Sequence, residues 1–166
     1  MENGIQGAGL GLRRALVQSL LDYDGQGLDF LEVTPENWIG AGGAMGRDFR
    51  RVTAPYPLAA HGLSLNIGGP APLDRAHLDA LKAFLDEHGV AVYSEHLSYC
   101  ADDGQLYDLL PIPFTEEAVR YVAGRVRRVQ AHLGRRIALE NVSYYAAPGR
   151  ELDETQFITA VLEEAD

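Results

Sequence analysis

The sequence predicts an α/β fold in which parallel strands alternate with helices. Three observations support this class. Short apolar runs recur along the chain, amphipathic segments with helical spacing separate them, and each run leads to an acid, a histidine or an acid–amide pair. Because parallel strands need helices to connect them and to cover both faces of their sheet, the alternation indicates one parallel sheet with helices around it.

Composition restricts the function classes. The 166 residues are enough for one domain, residues 1–166, with its own core. The formal net charge of -10 argues against a nucleic-acid-binding surface, which needs clustered Lys and Arg. We find no apolar run long enough for a membrane and no signal-peptide pattern. Cys100 is the only cysteine, so no disulfide can form within the chain, and cytoplasmic residence fits.

The first third of the chain predicts two strands. A short helix is expected at Arg13–Leu21, where leucines share one face, and the first strand follows at Leu28–Val33. Gly40–Gly46 is expected to be a loop because it is rich in glycine. A short helix at Phe49–Ala54 then leads to the second strand, Leu58–Leu63.

The middle of the chain predicts a well-marked helix. Asp74 is placed to cap it, and Gly89 to end it. Its apolar stripe contains four residues, namely Leu78, Leu81, Phe84 and Leu85. The third strand is expected at Val90–Ser94, and Ala101–Gly104 has the composition of a hairpin tip between Leu97–Cys100 and Gln105–Leu109.

The last third predicts two more helices around a fourth strand. Thr115 is expected to cap a long helix that Gly134 ends, with Val119, Val122, Val126 and Val129 as its apolar stripe. The three arginines at 125, 127 and 128 are expected on its solvated side. The fourth strand is expected at Ile137–Leu139. Asp153 with Gln156 resembles a capping box at the start of the last helix.

The predicted elements amount to four β/α units after an N-terminal helix. A closed TIM (β/α)8 barrel usually takes about 250 residues. The chain is therefore expected to be the N-terminal half of such a barrel and to be truncated relative to its natural gene. An open four-stranded sheet is the alternative, and it would leave an unpaired edge.

Three metal-ligating side chains follow successive predicted strands, at His61, His96 and Glu140. Active sites of β/α barrels lie at the carboxyl ends of parallel strands, so we expect the three to converge. Imidazole and carboxylate groups bind hard or borderline metals, which makes a metal site the first hypothesis. The alternative for each residue alone is a hydrogen-bonded structural role.

Other residues near the strand ends are weaker candidates. Glu36, Glu95 and Asp108 are possible ligands, bases or structural acids, and Asn141 is a candidate for orienting a ligand. Trp38, Tyr144 and Tyr145 either line a pocket or cover the mouth of the barrel. The segment after His61 has amides that would suit an anion, at Ser64, Asn66, Gly68 and Gly69.

Five segments together resemble the multinuclear non-heme iron-dependent oxidative enzymes, a bacterial family that includes the iron subunit of methanobactin biosynthesis. The resemblance runs in order over nearly the whole chain. The segments are Phe30–Trp38 (FLEVTPENW), His61–Gly69 (HGLSLNIGG), Tyr93–Tyr99 (YSEHLSY), Tyr107–Thr115 (YDLLPIPFT) and Ala138–Tyr145 (ALENVSYY).

The resemblance implies a TIM barrel that holds two or three irons and uses O2 as cosubstrate. Such enzymes modify cysteine or other residues of a ribosomally made precursor peptide, which a partner protein often presents. The family's ligands fall on His61, His96 and Glu140. Its remaining ligands lie on later strands than this chain contains, so three ligands would hold only part of the cluster.

Two rival functions stay open at the level of sequence. A divalent-metal isomerase or hydrolase using Zn or Mn would need the same His and Glu ligands. A non-catalytic half-barrel that binds a peptide or a partner chain would need no tight metal.

Overall fold

The computed structural model of the chain describes residues 5–102, 104–143, 146 and 149–166. Within these residues the chain forms seven strands and five α-helices. The strands are β1 (Gly9–Gly11), β2 (Phe30–Val33), β3 (Leu58–Gly62), β4 (Val92–His96), β5 (Tyr99–Ala101), β6 (Gln105–Leu110) and β7 (Ala138–Glu140). The helices are α1 (Val17–Leu21), α2 (Gly43–Thr53), α3 (Arg75–Glu87), α4 (Glu116–Leu133) and α5 (Glu154–Ala165), with 3-10 turns at Arg14–Leu16 and Pro35–Asn37.

The central sheet has five of the described strands, in the order β1-β2-β3-β4-β7. The pairs β1–β2, β2–β3 and β4–β7 are parallel. The predicted α/β class and parallel sheet are therefore confirmed. The sheet is compatible with part of a TIM barrel, and the complete (β/α)8 barrel stays a prediction.

The first strand of the sheet is one that sequence reasoning missed. The four predicted strands correspond to β2, β3, β4 and β7, whereas β1 is a fifth, made of two glycines and Leu10. All three residues are exposed, so no apolar pattern marks them. The strand forms because its backbone pairs with β2, and the ladder is extended by bonds from Asp29 N to Ala8 O (2.8 Å) and from Leu12 N to Glu32 O (2.7 Å).

One compact unit contains the described part of residues 1–62 together with residues 80–93. Alternate residues of β2 and β3 are buried in it, including Leu31 and Leu58. Trp38 stacks on Phe49, with ring centroids 4.4 Å apart. Helix α2 begins inside the Gly40–Gly46 segment that was predicted to be loop, so that prediction is wrong for its second half. Buried Phe49 and Val52 anchor this helix.

The second unit contains residues 63–79 and 94–166, of which helix α4 is the longest element. The Thr115 hydroxyl accepts a bond from Ala118 N (3.2 Å), and Gly134 ends the helix with φ +69°. The predicted valine stripe is buried. The predicted capping box at α5 is confirmed, since Asp153 and Gln156 exchange side-chain to backbone bonds. Phe114, in the loop before α4, stacks on Phe157 of α5, with ring centroids 4.9 Å apart.

Arg125 contradicts its predicted place on the solvated side of α4. Its exposed fraction is 3%, whereas Arg127 and Arg128 are exposed as predicted. Arg125 lies three residues after Val122 and so falls within the apolar stripe of the helix. Its guanidinium is tolerated there because backbone carbonyl groups accept its hydrogen bonds.

The remaining local predictions hold with small shifts. The Asp74 carboxylate caps α3 by accepting from His77 N (3.1 Å), and the predicted stripe of that helix is buried. Strands β5 and β6 form the predicted antiparallel hairpin, whose tip includes Asp103, outside the described residues. Strand β4 begins and ends two residues later than predicted, and β7 one residue later. His96 and Glu140 are therefore the last residues of their strands.

Among the described residues, no helix combines the length and the apolar character that crossing a bilayer requires.

Candidate metal centre

His96 and Glu140 form a pair of ligand groups at the carboxyl ends of neighbouring strands. They are register partners in the parallel β4–β7 ladder, so their side chains project from the same face of the sheet. A ring nitrogen of His96 and a carboxylate oxygen of Glu140 come within 4.8 Å of each other. The ladder continues past them through Leu97 N, which donates to Glu140 O (2.9 Å). This spacing suits two ligands of one cation.

His61 lies near the carboxyl end of β3, where it is half-buried. Sequence reasoning expected it at the end of the strand, and the structure has it one residue before the last. Strand β3 is the neighbour of β4 in the order of the sheet. That His61 binds the same metal ion as His96 and Glu140 remains a prediction.

Glu95 is a buried carboxylate beside the pair, with an exposed fraction of 1%. One carboxylate oxygen, Oε1, accepts a bond from His96 N (2.9 Å) and lies 3.5 Å from His96 Nδ1. The other, Oε2, accepts from Leu65 N (3.2 Å). Both oxygens therefore point at backbone amides and at the imidazole, a geometry that suits a carboxylate that orients its neighbour.

Asn141 and Asp108 flank an open pocket of about 550 Å³ that Glu140 also lines. Asn141 Nδ2 donates to Glu154 Oε1 (2.7 Å), which ties the segment after β7 to the start of α5. Asp108 is exposed, and its Oδ1 accepts from Leu109 N (2.8 Å). Ser143 and five apolar residues supply the rest of the walls, the apolar ones being Leu109, Leu110, Pro111, Val142 and Ala146. The pocket combines an apolar lining with carboxylates.

The remaining candidates have mostly structural surroundings. Glu36 lies in the Pro35–Asn37 turn and is partly buried. Trp38 is a core residue with an exposed fraction of 3%. Tyr144 and Tyr145 lie outside the described residues.

Two of the four predicted anion-binding amides in the loop after β3 are used within the protein. Gly68 N donates to Ser98 O (2.8 Å), and Gly69 N donates to Asn66 O (3.0 Å). The Asn66 side chain accepts from the amides of Cys100 and Ala101 and donates to Ala101 O (2.7 Å). The prediction is wrong for these two glycines, because their N–H groups close the loop instead of facing a ligand.

Sequence reasoning missed the anchor of this loop, which is a pair of side chains on α4. Arg125 donates to Ala71 O (2.8 Å) and to Asn66 O (3.0 Å), while the Tyr121 hydroxyl donates to Gly69 O (2.7 Å). Burial lowers the pKa of Arg125, an effect that the neighbouring Tyr121 opposes. A signal was present, because a charged residue within a helical apolar stripe indicates a buried polar contact.

Comparison with known proteins identifies the family of this chain. Residues 7–166 match the family model described as "RiPP precursor modification enzyme MbnB/TglH/ChrH". RiPP stands for ribosomally synthesised and post-translationally modified peptide. A UPF0276 protein of Pseudomonas aeruginosa is 60% identical over 162 residues, which cover 98% of this chain and 57% of that protein. A UPF0276 protein of Nitrosospira multiformis is 59% identical over 159 residues, which cover 95% of this chain and 56% of that protein. A UPF0276 protein of Shewanella amazonensis is 54% identical over 159 residues, which cover 96% of this chain and 57% of that protein.

The chain spans a little over half the length of these relatives. It belongs to the MbnB/TglH/ChrH family of RiPP precursor modification enzymes.

Proposed function

From this family membership, we propose that the protein takes part in the iron- and O2-dependent oxidative modification of a ribosomally made precursor peptide. In this proposal His61, His96 and Glu140 hold one metal ion. The target is cysteine or another residue of the peptide, and a partner protein presents it. A polypeptide spanning the full length of the relatives would hold a cluster of two or three irons.

The observation that carries the proposal is the His96–Glu140 pair. The two groups belong to neighbouring strands, are in register and lie close enough to share a cation. His61 lies near the carboxyl end of β3, which is the neighbour of β4 in the order of the sheet. Two imidazoles and one carboxylate are the ligand types of non-heme Fe(II) sites with open positions. The residues therefore fit the metal that the family resemblance implies.

The chemistry divides between the metal and the chain. Bound Fe(II) would supply, together with O2, the oxidising capacity that no amino-acid side chain has. The chain would bind the peptide in the open pocket beside Glu140, whose apolar walls would pack against the peptide. Asp108 at the rim of this pocket is placed to accept a hydrogen bond from the peptide.

The proposal is tested by loading the protein anaerobically with Fe(II), Zn(II) or Mn(II) and then incubating each sample with a cysteine-containing peptide, with and without O2. We expect O2 consumption and a change in peptide mass only in the Fe(II)-loaded sample of the wild type. The Glu140→Ala variant should show neither. Peptide hydrolysis with Zn(II) or Mn(II) in the absence of O2 would instead favour the hydrolase function. Failure of every metal to bind would favour a non-catalytic binding role.

A further inference from the structure

The Glu95 carboxylate is fixed on both of its oxygens, although it is almost completely buried. Leu65 N donates to Oε2 at 3.2 Å, and His96 N donates to Oε1 at 2.9 Å. A buried carboxylate is costly unless hydrogen bonds replace the lost water. The two amides therefore determine the direction in which Glu95 points, and Oε1 comes to face the His96 ring.

The two nitrogens of the His96 ring have different surroundings. Nδ1 lies 3.5 Å from Glu95 Oε1 and has no access to solvent. The side chain as a whole is still 11% exposed. Because Nδ1 faces a carboxylate on the inside, Nε2 is the ring nitrogen that would serve as the metal ligand. The 3.5 Å separation is longer than a hydrogen bond, but a proton on Nδ1 is attracted to the carboxylate at this distance.

We propose that Glu95 is a positioning residue for His96, which keeps the proton on Nδ1 and presents the lone pair of Nε2 to the metal. Metal-ligating histidines commonly donate their second N–H to a carboxylate, which fixes the ring and its tautomer. The inference rests on the proposed function for the identity of the ligand, because His96 is a ligand only in that proposal.

The support of Glu95 reaches into the loop after β3. Leu65 precedes Asn66, whose carbonyl accepts from Arg125 and whose side chain holds the amides of Cys100 and Ala101. The amide that orients Glu95 therefore belongs to a segment tied to both α4 and β5. This rigidity is what a positioning residue needs, because a carboxylate on a mobile support would not select one ring orientation.

The first test reads the tautomer of His96 without any metal. Long-range ¹H–¹⁵N correlation spectra of the ¹⁵N-labelled chain at mildly alkaline pH distinguish the Nδ1–H from the Nε2–H form, and His96→Gln assigns the signal. We expect the Nδ1–H form in the wild type and a shift towards the Nε2–H form in Glu95→Gln. A wild-type ring in the Nε2–H form would overturn the proposal, and this readout needs no variant of Glu95.

The second test measures the affinity of the chain for Co(II) by its visible spectrum. We expect Glu95→Gln to weaken binding by about 10- to 100-fold and to change the Co(II) bands, since outer partners of metal ligands have effects of this size. The matched control is Glu117→Gln, which makes the same chemical change on the exposed side of α4. Circular dichroism and urea midpoints of both variants show whether the fold is intact.

The outcomes separate this inference from the function on which it rests. Loss of both the tautomer preference and the affinity in Glu95→Gln, with Glu117→Gln unchanged, would support it. An unchanged tautomer and affinity in a folded Glu95→Gln would overturn it and leave the metal site standing. The expected tautomer shift without any Co(II) binding to the wild type would support the orienting role of Glu95 and overturn the proposed metal site.

Discussion

Replacement of Arg125 by methionine tests the anchoring of the loop after β3. Methionine fills a similar volume within the apolar stripe of α4, but it donates no hydrogen bond. Ala71 O then loses the guanidinium N–H that lies 2.8 Å away. Asn66 O loses a bond of 3.0 Å but keeps that from Gly69 N. The variant therefore leaves one carbonyl without its donor and weakens the bonding of a second.

The magnitude follows from these two losses. A fully buried acceptor left without a partner costs about 1–3 kcal/mol. Ala71 O is only partly buried, so its cost should lie towards the lower end of this range. Asn66 O adds a smaller amount because it keeps one donor. Relief from burying the charge offsets part of the loss. We expect a net decrease of about 1–2 kcal/mol in the free energy of unfolding. For a chain of this length, each kcal/mol lowers the melting temperature by about 2–4 °C.

The assay is urea unfolding followed by circular dichroism, with thermal melts alongside. The matched control is Arg128→Met on the same helix, where Nε donates to Gly124 O (3.2 Å) at the surface. We expect the control to stay within about 0.5 kcal/mol of the wild type. If Arg125→Met were as stable as Arg128→Met, Arg125 would not anchor the loop, and our interpretation of its burial would be wrong.

Three further predictions concern other parts of the fold. Burial and the nearby Arg50 lower the pKa of His88, against the opposing effect of Glu87. As the pH falls, the unfolded chain therefore takes up this proton first, and the free energy of unfolding should decrease below the ordinary pKa of about 6.5 towards the lower folded pKa. Urea midpoints across this pH range should fall less in His88→Gln than in the wild type. Equal pH dependence of the two proteins would contradict the assignment. Asp153→Ala should lower the free energy of unfolding by about 0.5–2 kcal/mol through loss of the α5 cap, and Asp153→Asn should retain most of it in the same assay. Gly68→Ala would place a methyl group 2.5 Å from the Ile112 side chain, so its melting temperature should fall clearly, whereas Gly11→Ala meets no atom within 4 Å and should melt like the wild type.

The features that sequence reasoning predicted well have local causes. The cap at Thr115, the left-handed Gly134 and the capping box of Asp153 each depend on residues within a few positions of one another. Helical spacing likewise predicted the buried stripes of α3 and α4. Such signals lie within one or two helical turns of sequence, so they can be recognised without knowledge of the tertiary structure.

The pairing of His96 with Glu140 was predictable for a similar reason. An acid or a histidine after an apolar run lies at the carboxyl end of a strand, and parallel strands bring these ends to one edge. The sequence pattern therefore predicted that His96 and Glu140 would lie close together, and they are register partners. It predicts the same of His61, which the metal-binding measurements test.

The rest depends on contacts between residues that are distant in sequence. The carbonyl groups that accept hydrogen bonds from buried Arg125 lie 54 and 59 residues earlier in the chain. Glu95 is oriented by an amide 30 residues away. The exposed strand β1 exists only through its pairing with β2. No pattern of spacing or composition contains these partners, and for that reason the loop amides of Gly68 and Gly69 were wrongly assigned to an anion.

The central claim is that His61, His96 and Glu140 bind one metal ion, and metal content after anaerobic loading tests it most directly. The chain is loaded with Fe(II), freed of excess metal and measured by mass spectrometry, together with alanine variants of the three residues. His132→Ala is the control, because His132 Nε2 pairs with Asp79 (2.8 Å) and has no part in the claim. We predict at least one iron per chain in the wild type and the control, and loss of that iron in each of the other variants. Equal iron in all five proteins, or none in the wild type, would contradict the account.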